Sequence, residues 1–182
     1  MKKQIYQNIK QIFMTCFMCL IAFVFSFTCV YAEETGSITV DTPTEEMKVS
    51  LYRIGEFTDQ GTFTLTKPYQ SYAVSLDHSS SEKWQATANI LAQYIQRDGI
   101  AADEEGISSS SQSVTFNDLS CGLYLIVGSE KEVNDSGNVQ VYIPQVSLIA
   151  LPDVSKDDSY HLKTVMKYEK DDYTYNSLHV LK

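Results

Sequence analysis

Two apolar segments in the C-terminal half of the chain constrain its fold most. Residues 122–127 read Gly-Leu-Tyr-Leu-Ile-Val, and residues 141–152 read Val-Tyr-Ile-Pro-Gln-Val-Ser-Leu-Ile-Ala-Leu-Pro. Both are rich in branched and aromatic side chains and are bounded by Gly, Pro or polar residues, a pattern typical of β-strands. The apolar positions of the second segment change parity at Pro144, which cannot donate a backbone hydrogen bond. We therefore expect a bulge or a sheet edge there.

Most of the remaining chain carries shorter segments in which apolar and polar residues alternate, as they do in strands with one buried face. A stretch that is first acidic and then rich in Ser, 103–112, predicts a mobile loop, and 131–138 predicts a polar hairpin loop. Seven or so short strands separated by turn signals predict a mainly β, immunoglobulin-like sandwich. The alternating segments are 37–40, 47–54, 62–66, 114–116 and 160–168.

One segment has a helical period instead. Apolar residues recur at spacings of four, three and four, which predicts an amphipathic helix inserted at about 81–98. Ser79 with Glu82 fits a capping box at its start, and Gly99 is a stop signal at its end. The apolar positions are Trp84, Ala88, Leu91 and Ile95.

The first 32 residues have the pattern of a secretory signal peptide. Lys2 and Lys3 precede an apolar stretch over 12–30, and small residues at the right spacing predict cleavage between Ala32 and Glu33. The alternative is a membrane anchor, because the apolar stretch approaches the ~20 residues that a span needs. No basic stop-transfer cluster follows it. We therefore expect an exported protein whose mature form has no membrane segment.

The mature chain, 33–182, has the size of one ordinary domain. Removing Lys2, Lys3 and Lys10 takes the formal charge from −9 to −12. So acidic a protein is a poor nucleic-acid binder and is repelled by anionic membranes. Cys121 is the only cysteine outside the signal peptide, which excludes an intramolecular disulfide.

The residues that could carry chemistry are scattered. His78, His161 and His179 lie in separate segments without metal-ligand spacing, which indicates surface imidazoles. Cys121 could form a reactive thioester, but its surroundings favour a partly buried thiol. Trp84 could stack on a sugar, but its position on the apolar helix face favours core packing. We expect no enzyme activity, no metal and no cofactor.

The order and spacing of these segments over 36–170 resemble the N-terminal domain of sortase-assembled pilins and related LPxTG surface proteins of Gram-positive bacteria. The resemblance implies a prealbumin-like (Cna-B-like) sandwich at 33–170 and a linker, or the start of a following domain, at 171–182. It is carried by the fragments 36–40, 49–55, 84–100, 114–119, 122–127 and 144–152.

Members of that family are joined head to tail by a sortase, through a Lys in a Tyr-Pro-Lys type motif on the last strand. Residues 160–167 resemble this strand and make Lys167 the candidate acceptor. The Pro of the motif is replaced by Met166, and its leading aromatic residue falls at Asp158. Lys170 meets the same physical requirement of an exposed amine, and the alternative for Lys167 is a solvated strand-edge lysine.

Many domains of the family that this chain resembles carry an internal Lys–Asn isopeptide bond. Its formation needs a protonated acid in the core beside a neutral amine. In the family pattern the acid stands six residues after the Gly of the Gly-x-Tyr strand, and here that position is Gly128. Glu130 lies further out, and Lys48 alternates onto the polar side of its strand. We expect no such bond.

The resemblance implies a secreted, non-catalytic structural or adhesive subunit of a Gram-positive surface or pilus protein, with sortase and other subunits as partners. The alternative function is a free secreted module that binds host matrix or carbohydrate. The sequence contains no LPxTG motif. We expect the chain to be either the N-terminal part of a longer cell-wall protein or a shortened secreted form.

Overall fold

The computed structural model of the protein describes residues 35–77, 80–135, 138–153 and 160–174. Within these ranges the chain forms one α-helix, α1 (Ser81–Asp98), and a 3-10 turn at Lys67–Tyr69. The strands are β1 (Thr35–Asp41), β2 (Lys48–Phe57), β3 (Phe63–Leu65), β4 (Glu104–Ile107), β5 (Ser113–Ser120), β6 (Gly122–Gly128), β7 (Lys131–Asp135), β8 (Asn138–Pro144), β9 (Ser147–Leu151), β10 (His161–Val165) and β11 (Tyr168–Thr174).

These strands form three sheets. The first sheet has the order β10-β1-β5, with β10 parallel and β5 antiparallel to β1. The second sheet has the order β3-β2-β6-β9, and β4 also pairs with β2. The third sheet is the antiparallel set β11-β8-β7.

The first two sheets face each other across a hydrophobic core. In β1 and β2, alternate side chains such as Ile38 and Val49 point into this core and are buried there. The predicted fold class, a mainly β sandwich with one amphipathic helix, is confirmed. The buried members of this core are Ile38, Val40, Met47, Val49, Leu51, Phe116, Leu119, Tyr124, Ile126, Leu151, Leu162 and Met166.

The second sheet is covered on both faces. Tyr124 and Ile126 of β6 point into the sandwich core, whereas Leu125 points to the opposite face and packs against α1. A strand buried on both faces needs apolar residues at every position, which explains the unbroken apolar run of β6. The second core is completed by Leu91 and Ile95 of the helix.

Helix α1 spans the residues predicted for it. Its start is capped by Ser80, whose hydroxyl accepts a hydrogen bond from the Lys83 amide at 3.4 Å, so the predicted cap was one residue early. Ser79 itself lies outside the described residues. Gly99 ends the helix in the left-handed conformation, at φ 62°, and its amide bonds to the Ile95 carbonyl. No helix of the described ranges is long and apolar enough to span a membrane.

The prediction of a mobile loop over 103–112 was wrong for its first half. Residues 104–107 form β4, which pairs with the start of β2. Glu105 accepts a hydrogen bond from Ser50 at 3.3 Å and pairs with Lys48 at 2.7 Å. Edge strands tolerate charged residues, so β4 cannot be distinguished from a loop by its composition. The predicted loop at 131–138 likewise contains β7 and the start of β8.

An aromatic cluster holds the segment before the helix against the C-terminal end of α1. The ring of Tyr72 lies 6.0 Å from that of Tyr69 and 4.7 Å from that of Tyr94. The Tyr72 hydroxyl donates to Asp98 at 2.7 Å, and Arg97 lies over the Tyr94 ring. These contacts hold the segment after β3 against the helix.

Asp98 provides a pH test of this cluster. Hydrogen bonds from Arg97 and Tyr72 lower the pKa of its carboxyl to about 2. A lowered pKa in the folded state stabilises the fold above the carboxyl's unfolded pKa of about 3.9, and this contribution disappears as the pH falls through 2. The free energy of unfolding, measured by urea denaturation at a series of pH values, should therefore fall less steeply with decreasing pH in Asp98→Asn than in the wild type. An equal decline in both proteins would contradict the assignment.

Two adjacent helix residues test the second core. Leu91 is fully buried, whereas Ile90 is 41% exposed. Leu91→Ala should lower the free energy of unfolding by about 2–5 kcal/mol, because it leaves a cavity between the helix and the sheet. Ile90→Ala is the matched control and should cost only about 0.5 kcal/mol. Denaturation followed by circular dichroism measures both, and similar costs would contradict the packing.

Candidate functional site

The candidate site is the corner at which the last strand changes sheets. Strand β10 ends at Val165 in the first sheet, and β11 begins at Tyr168 in the third, so only Met166 and Lys167 connect them. The Met166 amide donates to the Asp41 carbonyl at 2.9 Å, and the Lys167 carbonyl accepts from the Gln145 amide at 2.8 Å. The backbone of the corner is thus held from both sides.

The inside of the corner is filled by Met166, which is 4% exposed. A Cβ atom placed on Gly128 would lie 2.7 Å from the Met166 sulfur and 2.8 Å from Cβ of Pro144. Real side chains do not approach so closely, so position 128 requires glycine. Met166 therefore fills the space beside Gly128 and Pro144, where β6 and β8 end.

The same corner is where the third sheet begins. Strands β6, β8 and β10 run on into β7, β9 and β11 after breaks of two residues each, at 129–130, 145–146 and 166–167. The structure has neither the bulge nor the sheet edge predicted at Pro144: this residue ends β8, the middle strand of the third sheet, and the chain passes to the second sheet after it. Pairing of β11 with β8 continues to Thr174, four residues beyond the boundary predicted at 170.

Lys167 is exposed on the outside of this corner. Along β10 and the link, Leu162 and Met166 point inward, so Lys163, Val165 and Lys167 share the outward side. Lys163 forms an ion pair with Asp41 at 2.9 Å. No carboxylate of the described residues pairs with Lys167, whose amine is displayed to solvent.

The arrangement defines what Lys167 can do chemically. A lysine attacks an acyl group only as the neutral amine, so a base must remove one proton. Within the described part of the chain no carboxylate or imidazole bonds to this amine. For Lys167 to react in this way, another molecule would have to supply both the base and the activated acyl group.

The other predicted residues do not converge on a site. His161 is exposed on β10, where its Nδ1 lies 2.9 Å from the Ser37 hydroxyl, whereas His78 and His179 lie outside the described residues. Ala32 and Glu33 of the predicted cleavage site also lie outside them. Cys121 is half-buried in the turn between β5 and β6 and forms no disulfide. The described residues contain no group of His, Cys, Asp or Glu that could hold a metal.

The candidate amine and the candidate acid of an internal isopeptide bond both lie on the surface. Lys48 is half-exposed in its ion pair with Glu105, and Glu130 is exposed between β6 and β7. The buried polar residues of the described ranges are Thr42, Ser50, Thr87 and Ser108, and none of them offers an amine, an amide or an acid.

Sequence reasoning missed a groove beside the start of α1. It encloses about 420 Å³ and opens next to β9, and its lining is mainly apolar. Trp84, predicted to be a core residue, is half-buried on its wall. The lack of any charged residue from Pro144 to Pro152 could have pointed to this surface. Other residues lining the groove are Phe63, Gln85, Leu123, Leu148 and Ala150.

Comparisons with known proteins give partial structural matches only. No family model matches the chain, and no curated protein does. The full-length major pilin SpaD of Corynebacterium diphtheriae is 15% identical with a TM-score of 0.42, over 75% of this chain and 30% of that one. A modular backbone pilin of Streptococcus pyogenes is 15% identical with a TM-score of 0.47, over 75% and 29%. The major pilin SpaA of C. diphtheriae is 18% identical with a TM-score of 0.40, over 74% and 30%. The chain thus spans less than a third of these pilins.

Gly128 allows a test of the corner. Gly128→Ala should lower the free energy of unfolding by about 1–3 kcal/mol, because the added methyl group forces Met166 and Pro144 apart. Glu130→Ala, two residues further on and exposed, is the control and should stay within about 0.5 kcal/mol of the wild type. Urea denaturation measures both. A Gly128→Ala protein as stable as the wild type would show that the corner is loosely packed.

Proposed function

We propose that this chain is an exported structural or adhesive subunit of a Gram-positive surface or pilus assembly, and that Lys167 is its acceptor for a sortase. One observation carries the proposal: an exposed amine with no ion pair in the described chain, on a corner whose backbone is held by hydrogen bonds to Asp41 and Gln145. The resemblance of 160–167 to the strand that carries the pilin lysine supports the same residue.

The joining reaction needs little from this protein. The amine of Lys167 loses a proton to a base of the sortase and attacks the acyl carbon that the enzyme carries. An amide bond forms, and the sortase nucleophile leaves. The acceptor has only to present its amine in a fixed place. Holding the backbone of the corner lowers the entropy lost when the enzyme engages it.

The ion pair with Asp41 makes the neighbouring Lys163 a poorer acceptor than Lys167. Lys163 lies on the same outward side of the same strand, but its ammonium is engaged by the Asp41 carboxylate at 2.9 Å. An exposed ion pair of this kind contributes only about 0.2–1 kcal/mol. The preference for Lys167 therefore comes mainly from its place at the corner, with the ion pair as a minor contribution.

Export and surface location belong to the same proposal. Residues 1–32 act as the signal peptide, with cleavage between Ala32 and Glu33, and the domain at 33–170 is followed by a linker or a further domain. Mass spectrometry of the secreted protein tests this. A mature N-terminus at Glu33 would agree with it, and a retained N-terminal segment would overturn it.

The acceptor role is tested with Lys167→Arg, which keeps the positive charge but cannot form the amide. Incubation with a pilin-class sortase and a sorting-signal peptide should give a conjugate of the wild-type chain, and tandem mass spectrometry should place the linkage at Lys167. The variant should lose most of this conjugate.

Lys163→Arg is the matched control, since it changes the neighbouring outward lysine of the same strand. It should leave the yield of conjugate unchanged. Conjugates that survive in Lys167→Arg, or that depend on Lys163, would refute the assignment.

A further inference from the structure

A polar cleft, separate from the groove beside Trp84, is formed by β2, β3 and the 3-10 turn at Lys67–Tyr69. It encloses about 430 Å³, and its lining is mainly polar. Arg53 of β2, Thr64 of β3 and Asp103, which precedes β4, contribute to the walls. A cleft of this volume lies within the range of small-molecule sites.

Tyr69 gives the cleft a hydroxyl that no described residue engages. The tyrosine is 2% exposed and belongs to the second core. Its amide donates to the Thr66 carbonyl at 2.9 Å, but within the described ranges its hydroxyl forms no hydrogen bond. Burial, and after it the charge of Asp103, raises the pKa of Tyr69, so the hydroxyl stays protonated and lies on the Asp103 side, in the cleft. A buried polar group without a partner is costly, and a ligand that bonds to it removes that cost.

Asp103 offers a fixed acceptor beside this hydroxyl. Its amide donates to the Leu51 carbonyl at 2.9 Å, and its Oδ2 accepts from the Arg53 amide at 2.6 Å. These two bonds hold the residue in place, whereas no described group bonds to its Oδ1. The cleft thus combines a carboxylate oxygen that accepts with a phenol hydroxyl that donates or accepts.

The charges of the cleft disfavour a charged ligand. Arg53 donates to the Cys121 carbonyl at 2.7 Å and lies 3.8 Å from Glu56, so its guanidinium is already engaged. Lys67 and Asp103 form no ion pair within the described ranges, and both are exposed, where charges contribute little in water. An anion would be repelled by Asp103 and a cation by Lys67. The cleft therefore favours an uncharged ligand that forms hydrogen bonds.

We infer that this cleft binds one pyranose ring of a neutral carbohydrate. Each hydroxyl of a sugar both donates and accepts, which matches the mixture of Tyr69, Asp103 and Lys67. The C–H face of the ring is apolar and would pack against Leu65 and Pro68, which also line the cleft.

The inference does not depend on the acceptor role of Lys167. Strand β2 begins beside the corner, where the Ser129 amide donates to the Lys48 carbonyl at 2.8 Å. The cleft lies further along the same strand, at Arg53 and Glu56, roughly 17 Å from its start. A sugar ring held there leaves Lys167 accessible.

Heteronuclear NMR titration of the purified chain tests the inference. The probes are the methyl glycosides of glucose, galactose and mannose, and N-acetylglucosamine. Glycine and sodium sulfate are the charged controls. We expect at least one sugar to shift the amides of 64–70 and 103 saturably, with a dissociation constant in roughly the millimolar range, because a single ring makes few contacts.

Glycine and sulfate should leave these amides unchanged. The proposal is overturned if no sugar of the panel binds, if the sugars shift only amides elsewhere, such as those of the groove beside Trp84, or if glycine or sulfate alone binds in the cleft.

Tyr69→Phe provides the site-specific test, because it removes only the hydroxyl. The affinity for the sugar should fall roughly threefold to tenfold. Tyr72→Phe is the matched control, since the Tyr72 hydroxyl donates to Asp98 at 2.7 Å and Tyr72 does not line the cleft. This control should keep the wild-type affinity. Equal affinities of Tyr69→Phe and the wild type would refute the role of the hydroxyl.

The same two variants differ in stability when no sugar is present. Tyr69→Phe removes a hydroxyl that has no partner in the described chain, so its urea midpoint should equal or exceed that of the wild type. Tyr72→Phe breaks a hydrogen bond to a carboxylate and should lower the midpoint. A Tyr69→Phe protein that unfolds at lower urea than the wild type would show that the hydroxyl is already engaged, and would also overturn the proposal.

Discussion

The structure depends on a central sheet that is buried on both faces. In β6, Tyr124 and Ile126 face the sandwich core and Leu125 faces the helix, so one strand joins the two hydrophobic cores. The helix is therefore part of the folded body and covers a face that would otherwise be exposed. Each leucine or isoleucine side chain moved out of water contributes about 1.5–3 kcal/mol, and the described part of the chain, which has no disulfide, relies on such burial.

The candidate site lies where the regular strands are interrupted and the chain changes sheets. Strands β6 and β8 end at Gly128 and Pro144, β10 ends one residue before Met166, and these three residues approach one another closely where the third sheet starts. Lys167 is exposed because Met166 is not: with alternating side chains, burying one residue turns the next outward. The buried Met166 side chain and the exposed Lys167 amine are thus consequences of the same alternation.

The sequence predicted what depends on nearby residues. The bounds of α1 follow from its period and from Gly99. The parallel pairing of β1 with β10 and the ion pair of Asp41 with Lys163 join residues far apart in the chain, and no local pattern carries that information. Strand β4 was missed because its two glutamates resemble a loop, although in the fold one of them pairs with Lys48.

The position of the corner determines the path of mechanical force. Between Lys167 and the chain beyond Thr174 lies only β11, which is held to β8 along its length. Tension applied between an amide on Lys167 and the downstream chain would be carried by β11 alone. The strands of the sandwich would bear none of this force. Under the proposed function, a pull of this kind would therefore leave the sandwich core unloaded.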